Sequence, residues 1–557
     1  MLSDMRTIKT DDRRCDLIMP KKIVYASEGV ERAEWVLENT DTQAYVWGRD
    51  YTTLSTQEGK RAVILLDFGT ELYGGLQVIT QKLGIMTGVS AVIRFGESAS
   101  EAMAPTGIKG ACDDHGMRDF AVKLSPHGCN RIGQTGFRFV SIELTEPDTF
   151  VRLYALQGVS VYRDIPYRGS FRCSDGILNR IYDTCAYTVH LCMQNLLWDG
   201  IKRDRLVWIG DMHPEILAIR TVFGFHPIVD DSLRYVAKQS ALPGWPNGKA
   251  SYGMWYLLVL KDWYWYSGNA ALVWELSWYW KSLLIQLLAL VHEEGGAALN
   301  EEELESGYFL DWPTRNHSEA KAGIYGLFSQ ALLAAGELCS IIGEPVLAEN
   351  CVQKASVLTG VSFRPGVKKQ VTAMLQLAGM CNEKEAGKAL TEGRGRGMST
   401  FQSYYILKAV AQTADVSAAL DMLKEYYGAM LQAGATTFWE DFDLDWMREG
   451  ANIETLATEG AYDIHGDNGR YCYTGFRHSL CHGWSSAPAA FLAEEILGCH
   501  IVEAGCKCLE VKPQLGNLLW AEGTYPTPYG EVRVLAKKED GKTVVSVNAP
   551  DEIRIIG

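Results

Sequence analysis

Residues 198–211, Trp-Asp-Gly-Ile-Lys-Arg-Asp-Arg-Leu-Val-Trp-Ile-Gly-Asp, combine side chains that could carry chemistry. These fourteen residues hold three carboxylates, three cations and two tryptophans. Neither an apolar core nor an ordinary solvated face requires such a mixture. Carboxylic acids protonate or activate oxygen atoms, and an indole covers the C–H face of a pyranose. The segment therefore predicts an active site that acts on sugars.

The same residues allow a plainer interpretation. Alternating Lys, Arg and Asp side chains can form ion pairs along a loop surface without doing chemistry. Only segments elsewhere in the chain can decide between an active site and a solvated loop.

Residues 199–211 resemble the Asp-Gly-x-Lys-Arg-x-Arg-x-x-Trp-x-Gly-Asp motif of bacterial α-L-rhamnosidases, the inverting enzymes of glycoside hydrolase family 78. The resemblance implies that Asp204 stands at the position of the general acid. It also implies that Asp199 and Asp211 hold rhamnose hydroxyls. Arg203 is placed to orient one of these carboxylates or to lower its pKa.

Asp204 departs from the family pattern, because many rhamnosidases have Glu at this position. Asp is one methylene shorter. The backbone could lie closer to the sugar, Asp204 could serve as the acid in a related subgroup, or Glu215 could supply the proton instead. Otherwise the activity is reduced or the substrate differs. Trp208, four residues further on, is expected to contact the substrate through its indole.

A second carboxylate is expected from Glu440, in the run Thr-Thr-Phe-Trp-Glu at residues 436–440. A Glu beside a Trp is often simply exposed to solvent. The run nevertheless resembles the Thr-Thr-x-Trp-Glu motif that carries the general base of rhamnosidases. Glu440 and Asp204 then predict a single displacement with inversion, with carboxyl groups about 6.5 to 9.5 Å apart.

Three further side chains are predicted to contact the substrate. Residues 309–312 resemble the family's Gly-Asp-Trp segment, and residues 479–484 resemble its Ser-x-x-His segment. We expect Trp312 to wall the sugar and His482 to hydrogen-bond a hydroxyl. Trp255 is the third candidate, and packing in the core is its alternative role.

Composition indicates a large soluble protein with two or three domains, since 47% of its 557 residues are hydrophobic and 11% are aromatic. The net charge of -15 and a pI near 5.3 argue against a nucleic-acid partner, because no basic stripe can replace counterions along phosphates. The longest apolar stretch noticed, residues 283–291, is too short for a membrane span. The sequence leaves a homo-oligomer open.

A cytoplasmic location is expected from two features. Residues 2–7 lead straight into charged sequence without the pattern of a secretory leader. The 14 cysteines lack Cys-x-x-Cys pairs, and many lie in apolar helical runs, as free thiols do in a reducing compartment.

No metal or cofactor is expected. Cys506 and Cys508 lack further zinc ligands at motif spacing. The acidic run at residues 441–445 lacks the glycine and the final Glu of a calcium loop. The glycines of residues 393–397 follow a helical segment and do not have dinucleotide-binding spacing.

The pattern of the chain changes twice, which predicts three domains. Residues 1–165 contain short β-rich runs at 62–69, 88–96 and 137–144, typical of a β-sandwich. Residues 166–500 contain about a dozen helical segments, among them 270–292 and 485–497, joined by acidic and aromatic loops. These helices favour an (α/α)6 toroid, the six-hairpin glycosidase fold of rhamnosidases. Residues 501–557 return to β structure and resemble the family's small C-terminal β-domain.

The predicted function is therefore release of terminal α-L-rhamnose from a rhamnosylated glycoside or oligosaccharide. Two alternatives remain open. The chain could be a six-hairpin glycosidase for a different sugar, or a catalytically impaired homologue that binds carbohydrate. The natural aglycone and linkage are not predicted.

Overall fold

The computed structural model describes residues 12–48, 50–81, 87–292, 299, 308–315, 317–469 and 473–557. Residues 2–7, from which a cytoplasmic location was in part expected, lie outside this described part of the chain.

The N-terminal region is β structure, as predicted. Nine antiparallel strands form one hydrogen-bonded sheet. Their bounds are Arg13–Ile18, Lys22–Ala26, Val30–Glu31, Thr52–Ser55, Val63–Gln81, Val89–Gly96, Asp119–Leu124, His127–Leu144 and Phe150–Arg163.

The long strands let this sheet fold over itself. Val63–Gln81 pairs along its length with His127–Leu144, but its other edge meets Lys22–Ala26 first and Phe150–Arg163 later. Hydrophobic side chains from both halves of the strand share one buried core. The sequence predicted a shorter strand ending at residue 69, because glycines at Gly69 and Gly74 read as turns. Both glycines instead lie inside the strand at positive φ, where its register shifts.

The central region is helical. Its α-helices are Gly176–Cys192, Ile209–Val222, Pro227–Gln239, Ala250–Ser267, Ala270–Glu275, Ser277–Ala289, Ala320–Ile341, Pro345–Thr359, Lys369–Leu377, Glu383–Thr391, Ser403–Thr413, Val416–Gln432 and Pro488–Phe491.

The first long helix begins after a capping carboxylate. Asp175 caps Gly176–Cys192 by accepting a hydrogen bond from the N–H of Ile177. Two predicted helices are wrong in detail. Residues 270–292 break at Leu276 into two helices, and residues 485–497 become short 3-10, α and π turns around Pro488.

Ala320–Ile341 is the longest of the described helices and lies at the centre of the helical packing. It contacts Pro345–Thr359, Ala250–Ser267 and Lys369–Leu377. Its length and composition would suit a membrane span better than those of residues 283–291. Most of its surface is nevertheless buried inside the fold, as in a core helix of a globular protein.

The C-terminal region forms two small sheets. One contains Ser170–Cys173, Trp520–Thr527, Gly530–Glu539 and Lys542–Asn548 in that order, all antiparallel. The other contains Cys499–Glu503, Cys508–Val511 and Arg554–Ile556. Ser170–Cys173, the strand that precedes the first long helix, thus pairs with Trp520–Thr527. This pairing links the start of the helical region to the C-terminal sheet.

Candidate active site

A cavity of about 150 Å³ lies where several core helices begin. Asp211 lies in the first turn of Ile209–Val222, and Tyr252 lies in the first turn of Ala250–Ser267. The cavity is lined by Asp199, Arg203, Asp204, Trp208, Asp211, Lys249, Tyr252, Phe309, Trp312, Glu440, Tyr473, His482 and Trp484.

The loop that carries Arg203 and Asp204 closes on itself. The backbone N–H of Asp199 donates to the carbonyl of Leu206 at 3.0 Å, and the N–H of Leu206 returns a bond to Oδ1 of Asp199 at 3.0 Å. Asp204 and Arg205 both have left-handed backbones, with φ of +53° and +54°. Such conformations are strained for residues with a side chain and persist where the surroundings impose them. The turn directs Arg203 and Asp204 into the cavity.

Asp204 has three side-chain partners. Its Oδ1 accepts from Nη1 of Arg203 at 3.0 Å, and its Oδ2 accepts from Nε1 of Trp208 at 3.2 Å. The third partner comes from the β-domain, where Nδ1 of His115 lies 2.6 Å from Oδ1 of Asp204. The carboxyl group is therefore held by the helical and β-regions together.

Glu440 reaches the cavity from the opposite loop. Both of its carboxylate oxygens contact Nη2 of Arg203. Its Oε2 also accepts from the backbone N–H of Ser479 at 3.2 Å. One guanidinium thus bridges Asp204 and Glu440, and the two carboxyl groups face the cavity on either side of Arg203.

Three more polar side chains form the base of the cavity. Nε2 of His482 lies 3.9 Å from Oδ2 of Asp199 and from Oε1 of Glu440, and its Nδ1 lies 3.9 Å from Oδ2 of Asp211. Burial raises the pKa of Asp199 and of Asp211 well above the usual range. Burial and the charge of Arg203 lower the pKa of His482 to about 3. Protonated carboxyls and a neutral imidazole can both donate to and accept from sugar hydroxyls.

Aromatic rings form the apolar walls. Phe309 and Trp312 meet edge to face, with ring centroids 4.8 Å apart. Trp484 stacks on His482 at 4.3 Å and donates from Nε1 to the carbonyl of Glu440 at 3.0 Å. Carboxyl groups beside exposed ring faces suit a pyranose, which has polar hydroxyls and an apolar C–H face.

The β-region supports the loops of the site through a buried ion cluster. Nζ of Lys202 lies 3.1 Å from Glu97 and from Glu101, and it donates to the carbonyls of Phe476 and His478. Burial raises the pKa of Glu97 to about 7. The whole cluster is buried. Lys202 therefore does not form an ion pair on a loop surface, which was the plainer interpretation of its segment.

The same carboxylates form a candidate metal cluster with His465, because ligand atoms of Glu97, Glu101 and His465 lie within 4.8 Å of one another. Lys202 already bonds to both carboxylates, and Ser98 bonds to the imidazole at 2.8 Å. A cation beside an ammonium would be repelled, so the residues present do not fit a metal ion.

A second pair joins the β-region to the loop of Glu440. Arg138 donates to both oxygens of Asp67 at 2.8 and 3.0 Å, and its Nη1 donates to the carbonyl of Gly434 at 2.8 Å. It also contacts Glu454. Gly434 precedes Glu440 by six residues, so this anchor fixes the start of the loop that holds the candidate base.

Most of the predicted site residues lie together. The cavity wall includes Asp199, Arg203, Asp204, Trp208, Asp211, Trp312, Glu440 and His482.

Trp255 requires a correction, because it does not line this cavity. It is buried among His213, Phe401 and Tyr405, below the base of the site. Trp255 lies about one turn deeper than Tyr252 along the same helix, so the earlier residue faces the cavity and the later one joins the core.

Glu215 also lies outside the cavity wall. It follows Asp211 by one helical turn and packs against the backbone of Gly483, where a Cβ would lie 1.8 Å from its Oε1. Burial raises its pKa well above the usual range. A proton on Glu215 is therefore remote from a sugar bound beside Asp204.

Several lining residues were not predicted. Trp484 stood in a segment already noted, and Tyr252 lies one turn before the candidate Trp255. Phe309 also stood in a noted segment, residues 309–312, whereas Lys249 and Tyr473 had no motif to distinguish them.

The region of the cavity matches a known family. Residues 166–322 match the model described as the bacterial alpha-L-rhamnosidase six-hairpin glycosidase domain. These residues are similar to the six-hairpin glycosidase domain of bacterial α-L-rhamnosidases. This match includes the loop at residues 198–211, while Glu440 lies beyond it.

Individual proteins that are similar to this chain agree with that match. An alpha-L-rhamnosidase of Formosa agariphila is 25% identical over 178 residues, which are 30% of this chain and 17% of that protein. A family 78 rhamnosidase of Bacillus sp. GL1 superposes with a TM-score of 0.72 at 20% identity, covering 94% of this chain and 55% of that one. This chain thus spans about half the length of the Bacillus structure.

A second solved structure supports the fold of the six-hairpin protein. The rhamnosidase of Klebsiella oxytoca, solved with rhamnose bound, superposes with a TM-score of 0.65 at 20% identity. It covers 86% of this chain and 95% of that one. The (α/α)6 toroid with flanking β-regions is confirmed by these superpositions.

Proposed function

We propose that this chain is a glycoside hydrolase that releases terminal α-L-rhamnose from rhamnosides by inverting single displacement. The observation that carries the proposal is the bridge from Arg203 to both Asp204 and Glu440 at a cavity lined by carboxyl groups and aromatic rings. The bound rhamnose named for the Klebsiella oxytoca structure supports the choice of sugar.

The proposed reaction uses one carboxyl group on each side of the anomeric carbon. Glu440 removes a proton from water as that water attacks, and Asp204 gives its proton to the departing glycosidic oxygen. Arg203 holds both groups and balances the charge of Glu440. The predicted separation of the two carboxyl groups, about 6.5 to 9.5 Å, leaves room for the attacking water.

The remaining lining residues bind the sugar. Asp199, Asp211 and His482 lie at the polar base, where they can exchange hydrogen bonds with hydroxyls. Trp312 and Trp208 contact the less polar parts of the ring and aglycone. This reaction needs no cofactor.

We infer a cytoplasmic location and short rhamnosides or oligosaccharides as substrates. The described cysteines are free thiols, and most are buried, which suits a reducing compartment. Poor turnover of short rhamnosides relative to polymers would overturn the substrate size.

The test is hydrolysis of an aryl α-L-rhamnoside by the parent, Asp204→Asn and Glu440→Gln. We expect both variants to lose about 10² to 10⁴-fold in kcat, since each lacks a proton-transfer group. NMR should show the inverted anomer of rhamnose as the first product. Asp445→Asn, an exposed carboxylate on the loop after Glu440, is the matched control and should retain activity.

Other outcomes separate the alternatives. Turnover of another aryl glycoside, with none of the rhamnoside, would assign a different sugar. Rhamnose binding without hydrolysis of any glycoside would identify an impaired, carbohydrate-binding homologue, for which the Asp at position 204 would be the reason. A retained anomer would overturn the inverting mechanism.

A further inference from the structure

The β-region contributes a histidine to the candidate active site. His115 lies in a loop between strands of the N-terminal sheet, with a left-handed backbone at φ +59°. Its Nδ1 lies 2.6 Å from Oδ1 of Asp204, and its Nε2 lies 3.3 Å from Oδ1 of Asp114. The imidazole is 47% exposed, whereas the side chain of Asp204 is 9% exposed.

Residues of both the β-region and the helical region hold this histidine in place. Nη2 of Arg205 donates to its carbonyl at 2.6 Å. Nε of Arg477 donates to Oδ2 of Asp114 at 2.9 Å, which fixes the second acid. Five charged groups face the imidazole. Asp114 lies on the same loop, and Arg477 lies on the loop before His482. The loop at residues 198–211 supplies Arg203, Asp204 and Arg205.

A general acid inside a covered cavity must regain its proton after every turnover. In an inverting displacement Asp204 gives up one proton per turnover, while Glu440 gains one from water. Arg203 and Trp208 enclose Asp204 on the cavity side, and a bound aglycone would cover it further. The half-exposed ring of His115 is in direct contact with both Asp204 and solvent.

We propose that His115 positions Asp204 and carries the proton that reloads it. This inference rests on the proposed function, in which Asp204 is the general acid. The N–H bond at Nδ1 of the imidazolium breaks as the O–H bond at Oδ1 of Asp204 forms, and the electron pair stays on the ring. The neutral imidazole then takes a proton from solvent after the product leaves. Asp114 holds the ring through Nε2 during both steps.

The first test compares leaving groups in the parent and His115→Gln. A 2,4-dinitrophenyl rhamnoside needs little protonation to depart, whereas an alkyl rhamnoside depends on Asp204. We expect kcat for the alkyl substrate to fall about tenfold or more in the variant, with little change for the activated one and little change in KM.

His127→Gln is the control, because His127 starts a strand of the same sheet and does not contact Asp204. Equal losses with both leaving groups would reduce His115 to a structural residue and overturn the inference. Unchanged kcat with the alkyl substrate would overturn it as well. Inactivity of the parent on both substrates would instead contradict the proposed function.

A second test does not require turnover. NMR titration of the His115 ring in the parent and in Asp204→Asn measures their coupling directly. Since the variant replaces a charge-assisted hydrogen bond at Nδ1 by a weaker one, the nitrogen chemical shifts of the ring should differ between the parent and Asp204→Asn. Identical titrations would overturn the contact between the two groups even if the parent hydrolyses rhamnosides.

Discussion

Arg203 determines how the two candidate catalytic groups are held. Its guanidinium contacts Asp204 through one nitrogen and Glu440 through another, and its CZ atom lies 3.5 Å from the centre of the Tyr473 ring. A planar guanidinium can serve two acids and a ring face at once, which an ammonium cannot. The spacing of both acids therefore depends on this single side chain.

Arg203→Lys should lower kcat/KM about tenfold to a hundredfold, because one ammonium cannot hold both carboxyl groups at their present positions. Thermal unfolding should change little compared with the loss of rate. Steady-state kinetics on an aryl rhamnoside measures the effect, with Arg448→Lys as the exposed control. Activity equal to that of the parent would refute the bridging role.

At this scale the local sequence predicts the acids well and their neighbours poorly. One loop and the helical turn after it contain Asp199, Arg203, Asp204 and Asp211. Their spacing in the sequence therefore indicates that these side chains lie close together. His115 lies 89 residues from Asp204 in the chain, and no local pattern indicates that contact. Trp255 takes the core role that the sequence left open beside substrate contact, and the sequence could not choose because its period gives the face of a helix and not the depth along it.

At the scale of the elements, the core helices deliver polar groups from their first turns. A loop between the core helices, residues 308–312, supplies another polar group, since Asp311 accepts from the N–H of Trp312 and from the hydroxyl of Ser399. Burial raises the pKa of Asp311 to about 7. This acid thus orients the turn that carries Trp312, and with this pKa it is about half protonated near pH 7.

Asp311 should make stability depend on pH. An aspartic acid in an unfolded chain titrates near pH 3.9, so between about pH 4 and 7 the folded protein binds a proton that the unfolded chain lacks. The free energy of unfolding therefore falls as pH rises through this range. Asp311→Asn removes the titration and keeps a side chain that can bond to Trp312 and Ser399.

We expect the fall in Tm between about pH 5 and about pH 8 to be smaller in Asp311→Asn than in the parent, measured by calorimetry. Asp415→Asn, which alters an exposed helix cap, is the control. An equal fall in Asp311→Asn and the parent would contradict the linkage.

At the scale of the whole molecule, the β-region and the toroid are joined by buried ionic contacts. Asp67 and Arg138 come from two neighbouring strands of the N-terminal sheet, Val63–Gln81 and His127–Leu144. Asp67 holds the guanidinium of Arg138, which donates to the backbone carbonyl of Gly434 and so ties the sheet to the loop of Glu440. Sequence alone could suggest a β-domain, but it could not show which residues dock it.

Arg138→Met should lower the free energy of unfolding by about 3 kcal/mol, because Asp67 is left buried without its main partner. The effect should stay near the low end for a broken buried pair, since Nζ of Lys22 also lies 3.4 Å from Asp67. Urea unfolding measures the change. Arg152→Met on the same sheet is the control, and equal stabilities of the two variants would rule out the anchor.

The position of His115 has a consequence for how such proteins can be recombined. A toroid cut free near residue 165 would keep both acids and the whole aromatic wall. It would lose the imidazole beside Asp204, the glutamates around Lys202 and the anchor of the Glu440 loop. The toroid therefore cannot be exchanged alone between proteins. Joined to a foreign β-domain, it would bring Asp204 and Glu440 without the histidine that returns a proton to Asp204.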